Sequence, residues 1–437
     1  MSGSIKLAGA ICVALAAVAA SRSALAGQLD YTLYGGVEHS DNIALTSDNP
    51  ISQNVLIPGL SFAYLQQGAD LQANVAGNLE YRDYLGHRFT DQTQVQLASQ
   101  ANWTILPARL DLAMQDYAGV QPIDRLASNA PDNQQQTNVF TFGPALHFNL
   151  GESTHGQAAL HYINSYAQKT KDFNTHRTQG SLSLIKDVNP TDRLSLDFEA
   201  QRVSLTERAA TPDYDRRELL GGYVSKLSHL QVDLALGWSQ LDFRRAGTPT
   251  ASGPLARLTL DYAPTQRSTL TVAAAREYSD AAQDLLLQQP TEILEGTGKG
   301  INVGNTTIDS QVYLERRLRL AYAFASERLT FSVAPLYRKL GYVNDPALDQ
   351  TTRGASVDID YRLRPTLTLS MVAAGEKLTY DRIARHDRTV NFGLDLVGQR
   401  TPHWGWRISL LRQQRHSDQP QQSFHENEIY FGVLYNR

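Results

Sequence analysis

The stretch LQANVAGNLEYRDY, residues 71–84, restricts what this chain can fold into more than any other feature. Leu71, Ala73, Val75, Gly77, Leu79 and Tyr81 fall on one parity; Gln72, Asn74, Ala76, Asn78, Glu80 and Arg82 fall on the other. Such a period of two is a β-strand with one apolar and one polar face. In a water-soluble sheet the apolar face meets a core. In a membrane barrel it meets lipid, and the polar face lines a wet bore.

The alternation returns from end to end. Val95, Leu97, Ala101, Trp103 and Ile105 alternate with Gln94, Gln96, Gln100 and Asn102. Leu194, Leu196, Phe198 and Ala200 alternate with Ser195, Asp197, Glu199 and Gln201, and Val357, Ile359, Tyr361 and Leu363 with Ser356, Asp358, Asp360 and Arg362. These segments run about 10 to 13 residues, longer than the usual globular strand and suited to a tilted bilayer crossing.

The connections take turns as well. LPARLDL from Leu106, NPTDRLSL from Asn189, APTQRSTLTV from Ala263, ASERLTF from Ala325 and RPTLTL from Arg364 are short turns, after which the two-residue period restarts. Between them lie longer polar loops at 39–54, 119–136, 167–175, 206–213, 244–253, 279–306, 343–350, 380–387 and 413–422. Alternation of this kind sends every long loop to one side, as in outer-membrane barrels with short periplasmic turns and long extracellular loops. The expected fold is all-β: a transmembrane antiparallel up-and-down barrel of about 20 strands, between roughly 16 and 22.

The N-terminus agrees with export. Lys6, the apolar run Leu7–Ala20 and the small-residue site Ala24-Leu25-Ala26 read as a signal peptide over 1–26, which leaves 27–437 as a single barrel domain. The run is short for a bilayer-spanning anchor. The single cysteine, Cys12, falls inside it, so a disulfide-stapled domain is not expected. A formal net charge of −4 is too mild to imply a nucleic-acid partner.

The competing fold is a soluble all-β propeller or sandwich. Against it stand the amide-rich polar face of the early strands and aromatics towards strand ends: Tyr31, Tyr64, Tyr84, Trp103, Tyr166, Phe243, Tyr262, Tyr278, Phe324, Tyr342, Tyr380, Trp404 and Trp406. Two features depart from the pattern. In VYLERRLRLAYAF the outward set Val312, Leu314, Leu318, Leu320, Tyr322 and Phe324 also holds Arg316, which is therefore expected high on its strand, against headgroups or lipopolysaccharide phosphate. The chain also ends in Arg437, two residues past the outward Tyr435.

YGGVEHSDNIALTSDNPISQNVLIPGLSFAY near the start, with EHSDN at 38–42 and IPGLSF, YSDAAQDLL from Tyr278 and DSQVYLERRLRLAYAF from Asp309, resembles a family of outer-membrane β-barrel porin-type proteins. Its members are encoded with exopolysaccharide biosynthesis and export operons. The resemblance implies a Gram-negative cell outer membrane location, a polysaccharide passing through the bore, periplasmic or inner-membrane export partners, and no catalytic motif to carry over.

Motifs for chemistry are weak. EGTGKGINVGN, 295–305, fails as a phosphate loop: Ile293 stands where a glycine is needed, and Gly300 follows Lys299 in place of Ser or Thr. His155 and His161 share one strand with no third ligand in view, so no metal, cofactor or enzymatic activity is expected. The bore lining remains. Gln72, Asn74, Asn78, Gln94, Gln96, Gln100 and Asn102 offer neutral donors and acceptors, and Glu80/Arg82, Glu315/Arg317/Arg319 and Asp358/Asp360/Arg362 add charges of both signs. These side chains either exchange hydrogen bonds with sugar hydroxyls or hold one another across strands. The expected function is a conduit for exopolysaccharide export; a general diffusion porin and a non-channel attachment barrel are the alternatives. Outer-membrane lipid and lipopolysaccharide are the expected surroundings.

Overall fold

A computed structural model describes residues 27–124, 126–206, 212–245, 250–286 and 308–437. The signal-peptide reading of 1–26 and the glycine-rich 295–305 lie outside the described residues. Twenty strands form one antiparallel sheet: β1 (Gly27–Ser40), β2 (Gln53–Gln67), β3 (Leu71–Tyr84), β4 (Gln92–Leu106), β5 (Leu110–Pro122), β6 (Gln134–Asn149), β7 (Thr154–Ala167), β8 (Thr175–Asp187), β9 (Asp192–Leu205), β10 (Tyr214–Lys226), β11 (Leu230–Phe243), β12 (Ala251–Thr265), β13 (Ser268–Ser279), β14 (Tyr313–Ala325), β15 (Leu329–Tyr342), β16 (Gln350–Arg364), β17 (Leu367–Tyr380), β18 (Arg385–Gln399), β19 (Trp404–Ser417) and β20 (Phe424–Asn436). Each strand pairs with its sequence neighbours, and β1 pairs with β20, so the sheet has no free edge. Nine connections at one end are two to four residues long, and the long loops all lie at the other end. The connection at 85–91, inconspicuous in the sequence, belongs with the long loops.

Closure fixes which parity faces out. Leu33, Val37, Leu79, Trp103, Leu160, Leu196, Leu236, Trp238, Phe392 and Phe431 are all exposed on the outer wall. Water would not tolerate so continuous an apolar surface, and lipid requires it. At the short-turn end Trp103, Tyr262 and Trp404 are exposed as an aromatic girdle demands, and Trp404 meets the Tyr435 ring edge-on at 5.1 Å.

The long-loop end differs from expectation. Tyr84, Tyr278, Tyr342 and Tyr380 are buried instead of standing at a lipid interface. Tyr84 packs with Ile43, Val55 and Ile57, and Tyr342 with Tyr313 and Leu340, where loops fold back onto the inner wall. Val312, expected outward, precedes β14 and is buried with Val203, Leu205, Tyr214 and Leu241. Arg316 is exposed as the fourth residue of β14, close to the long-loop end.

The EHSDN stretch seals the seam. Ser40 Oγ donates to Glu426 at 2.5 Å, Asn42 Nδ2 donates to the His425 carbonyl at 2.9 Å, and Asn427 donates to Asp41 through its backbone N–H at 2.8 Å and its side chain at 2.7 Å. At the other end of the seam Tyr31 and Arg437 exchange backbone hydrogen bonds of 2.9 Å, so the terminal arginine extends the closing ladder. Gly36 lets the two strands meet: a Cβ there would stand 2.5 Å from the Phe431 carbonyl oxygen and from the Tyr430 ring, whereas one on Gly35 would meet nothing. Gly36→Val is expected to cost about 1–3 kcal/mol through overpacking at the seam. On an unboiled gel it should deplete the compact, heat-modifiable band, while Gly35→Val should leave that band at wild-type intensity.

Candidate functional site

The inner wall changes character along the barrel axis. Towards the short-turn end it is open. Gln72, Asn74 and Gln100 are exposed to the bore, with Gln72 opposite Asn102 and Asn74 opposite Gln100 on β3 and β4. Arg319, Asp360 and Arg362 are exposed on β14 and β16, and Asp358 is half-buried, accepting from Ser332 at 3.2 Å.

Towards the long-loop end the remaining candidates are bound to the wall. Asn78 accepts from the Tyr34 hydroxyl at 2.7 Å; Arg82 bridges Glu38 at 2.5 Å and Glu80 at 2.8 Å; Gln94 donates to Gln134 at 2.9 Å. Glu315 is fully buried, with Arg338 at 2.7 Å and Arg317 at 3.6 Å. Gln96 pairs across β3–β4 with Asn78 at the boundary between the tiers. One inward parity thus holds two populations, a lining largely exposed to the bore and a buried network of paired charges.

What closes the upper tier begins the long loop 279–306, the loop expected to plug the bore, although its helix was not read from the sequence. After β13 the chain turns back into the bore and forms a short helix, α1 (Ala281–Leu286). Asp280 caps it, its Oδ1 accepting from the Ala282 and Gln283 amides at 3.0 and 3.2 Å. Its other oxygen takes Arg177 of β8 at 2.6 Å and the Tyr214 hydroxyl of β10 at 2.9 Å. Asp284 accepts from the Tyr313 hydroxyl at 2.6 Å and from Ser279 at 3.1 Å, and pairs with Arg338 of β15. Arg216 donates to Gln283 at 2.7 Å and to the Tyr278 carbonyl at 2.9 Å.

The apolar face of the helix, Ala281, Ala282 and Leu285, joins Ile308 against Ala98, Tyr117, Val139 and Ile163 of β4–β7. The segment therefore leaves β13 and reaches the opposite wall, a chord across the bore. A second chord runs the other way: beyond β5 the Leu126 and Ala127 carbonyls accept from Arg385 at 2.7 Å and Arg415 at 3.3 Å on β18 and β19. Asp387 holds both arginines, at 2.9 and 2.7 Å. Capping signals inside YSDAAQDLL, an Asp before Ala-Ala-Gln-Asp-Leu-Leu, were the available trace of α1.

Beneath α1 lies a cavity of about 430 Å³. Its walls carry opposite charges in close pairs, Arg257 to Glu277 at 2.7 Å and Arg216 to Glu199 at 3.4 Å, and Arg257 also reaches Glu218 behind the lining at 3.3 Å. No single-sign ring of the kind that selects ions forms there among the described residues. Burial alone would raise the Asp280 carboxyl, but the charge and hydrogen bond of Arg177 outweigh it and leave it lowered from 3.8 to about 2. His155 and His161 lie six residues apart on β7, and His155 faces Asp187 at 3.6 Å. Among the described residues no three His, Cys, Asp or Glu side chains gather as metal ligands.

A family model described as "Putative beta-barrel porin 2" matches residues 350–437, which hold the last five strands. Comparison with curated proteins gives no match. Among solved structures the chain is similar to a mutant of the ferric enterobactin receptor PfeA of Pseudomonas aeruginosa (TM-score 0.48, 8% identity, 93% of this chain and 80% of that one). It is also similar to the FrpB iron transporter of Neisseria meningitidis in its apoprotein form (0.47, 9%, 93% and 81%) and to the siderophore receptor PirA of P. aeruginosa (0.44, 10%, 94% and 80%).

Removing one partner of a buried ion pair leaves the other charge uncompensated, at a cost of about 3–5 kcal/mol. Asp280→Ala and Asp284→Ala should each free α1, read as faster amide exchange over 281–286 with the strands unchanged. The tie through Asp280 has a lowered acid pKa, so its stabilisation is complete above the unfolded value near 3.8 and fades as pH falls through about 2. Protection of α1 should hold from pH 7 to pH 5 and weaken only below about pH 4.

Proposed function

We propose that this chain is a Gram-negative outer-membrane barrel conducting an exopolysaccharide from its short-turn, periplasmic end to its long-loop, extracellular end. The observation that supports this reading is the row of exposed neutral amides Gln72, Asn74 and Gln100, with Asn102, directly on the approach to the constriction. Amides trade hydrogen bonds with sugar hydroxyls as readily as with water, so a polymer meets many similar weak sites and slides. The charges above them are paired with their opposites, which suits a polyhydroxylated chain better than a small ion. The resemblance of EHSDN, IPGLSF and YSDAAQDLL to barrels encoded with polysaccharide export operons supports the substrate class. Periplasmic or inner-membrane export proteins are the proposed partners, delivering polymer to the open vestibule; no step requires catalysis by the barrel.

The two chords disfavour a permanently open diffusion porin. Wild-type barrels in a planar bilayer should show low, intermittent conductance, and Asp280→Ala/Asp284→Ala barrels a conductance several-fold higher. Replacing Gln72, Asn74, Gln100 and Asn102 together with Ala should cut polymer secretion several-fold while the unboiled gel band stays compact. Secretion at the wild-type level in that variant would remove the amide track from the account. A deletion strain that secretes normally but cannot retain polymer at its surface would favour the attachment reading instead.

A further inference from the structure

Cations on the outer wall are confined to part of the circumference. The strands β1–β7 contain a single Lys or Arg, Arg82, and it faces the bore. On β13–β19 outward cations instead stand in register. Arg276, Arg316 and Lys339 are direct cross-strand neighbours on β13, β14 and β15. One step along, Arg353, Lys377, Arg388 and His416 are direct neighbours on β16 to β19.

Adjacent strands lie about 4.8 Å apart, and like charges placed opposite one another at that spacing destabilise a sheet. Acids relieve only the flanks: Lys339 pairs with Asp381 at 2.9 Å and His386 with Asp418 at 2.8 Å. Arg353 rests over the Tyr337 ring at 5.8 Å. Lys377 and Arg388 have no ion-pair partner among the described residues. They border a hollow of about 540 Å³ together with Arg353, His386 and His416; Asp418, which His386 holds, and the acidic residues Glu376 and Asp387 also line it.

The wall beneath has a second relevant shape. The next register row towards the short-turn end reads Pro335, Ala355, Gly375 and Val390, and below it stand Phe392 and Leu394. Small residues thus leave a shallow trough under the cations, flanked by an apolar surface. Anionic headgroup above and hydrocarbon below is the profile of one class of ligand. We propose that Arg353, Lys377 and Arg388 on β16–β18 bind the phosphate groups of a phosphorylated, multiply acylated glycolipid of the outer leaflet, whose acyl chains lie in the trough below. This rests on the long-loop end facing the cell exterior, as in the proposed function, and is independent of what the bore conducts. Guanidinium and ammonium groups both recognise phosphate, and the arginines do so in two-pronged fashion.

The test uses the mature barrel in detergent and a bisphosphorylated, hexa-acylated glycolipid of the lipid A type, with binding counted by native mass spectrometry. A barrel that stays dispersed without detergent would overturn the membrane reading, and that control is read first. The intact glycolipid should bind, and its dephosphorylated form and inorganic phosphate should not. Arg353→Gln/Lys377→Gln/Arg388→Gln should weaken binding at least tenfold. Arg202→Gln/Arg217→Gln should not weaken it, since those cations already face Asp215 at 3.1 Å and Asp242 at 3.5 Å. If the triple variant lacks a heat-modifiable band, Lys377→Gln alone is measured, with binding weakened severalfold. Equal binding of the dephosphorylated glycolipid, or unchanged binding in the folded variants, would overturn the proposal.

Discussion

Nine residue pairs between β1 and β20, from Thr32↔Asn436 to Ser40↔Glu428, turn a twenty-stranded sheet into a barrel. Every other property follows from that ladder. An open sheet in hydrocarbon would leave two rows of backbone N–H and C=O groups without partners, and each would cost several kcal/mol. Closure removes both edges at once and forces one parity outward on all twenty strands together. It also places the start of β1 beside the end of β20 at the short-turn end. The clasp of Ser40, Asp41 and Asn42 on Glu426, Asn427 and the His425 backbone locks the long-loop end of the same seam.

A barrel of this size has more bore than its own strand side chains can fill. The structure divides that space unequally. The vestibule at the short-turn end keeps its amides free, whereas α1 and the Leu126 and Ala127 backbone cross the upper bore. The α1 chord is held by buried ion pairs at Asp280 and Asp284, and the other by wall arginines Arg385 and Arg415 donating to its backbone. Buried ion pairs add little net stability compared with apolar packing, but they are strict about geometry. That combination suits a segment that must sit in one place and still be able to leave it. The apolar contact of Leu285 and Ile308 with β4–β7 is small and of the same character.

The barrel was legible because period two, turn formers and the alternation of loop lengths each report on local geometry. About 20 strands and the outward parity followed from these alone. The candidate lining residues were chosen by parity for the same reason, but parity carries no height. Gln72 and Glu80 share one face of β3, yet one is free and the other is tied to Arg82, because only the second reaches the level of the infolded loops. The inward tyrosines Tyr84 and Tyr342 were misplaced at a lipid interface for the opposite cause: their nearness to a strand end was read and their inward parity was not. Asp116 shows the limit from the other side. Its parity on β5 is outward, and Asn138 of β6 satisfies it at 2.6 Å, a cross-strand partnership that needs the register of two hairpins. The rows of cations on β13–β19 were invisible for that reason: each arginine was readable singly, and their alignment was not.

The orientation of the two faces can be measured directly along β3. The only cysteine of the chain is Cys12, within the expected signal peptide, so single cysteines placed from Leu71 to Arg82 in the mature protein report without background. In liposomes, Leu71, Val75, Leu79 and Tyr81 positions should resist a charged, membrane-impermeant maleimide, and spin labels there should relax with dissolved oxygen. Gln72, Asn74 and Asn78 positions should show decreasing maleimide reactivity from the vestibule upward and respond to a water-soluble relaxant instead. Uniform labelling by the aqueous reagent at both parities would mean that water lies on both sides of the wall, and the barrel would not stand in lipid.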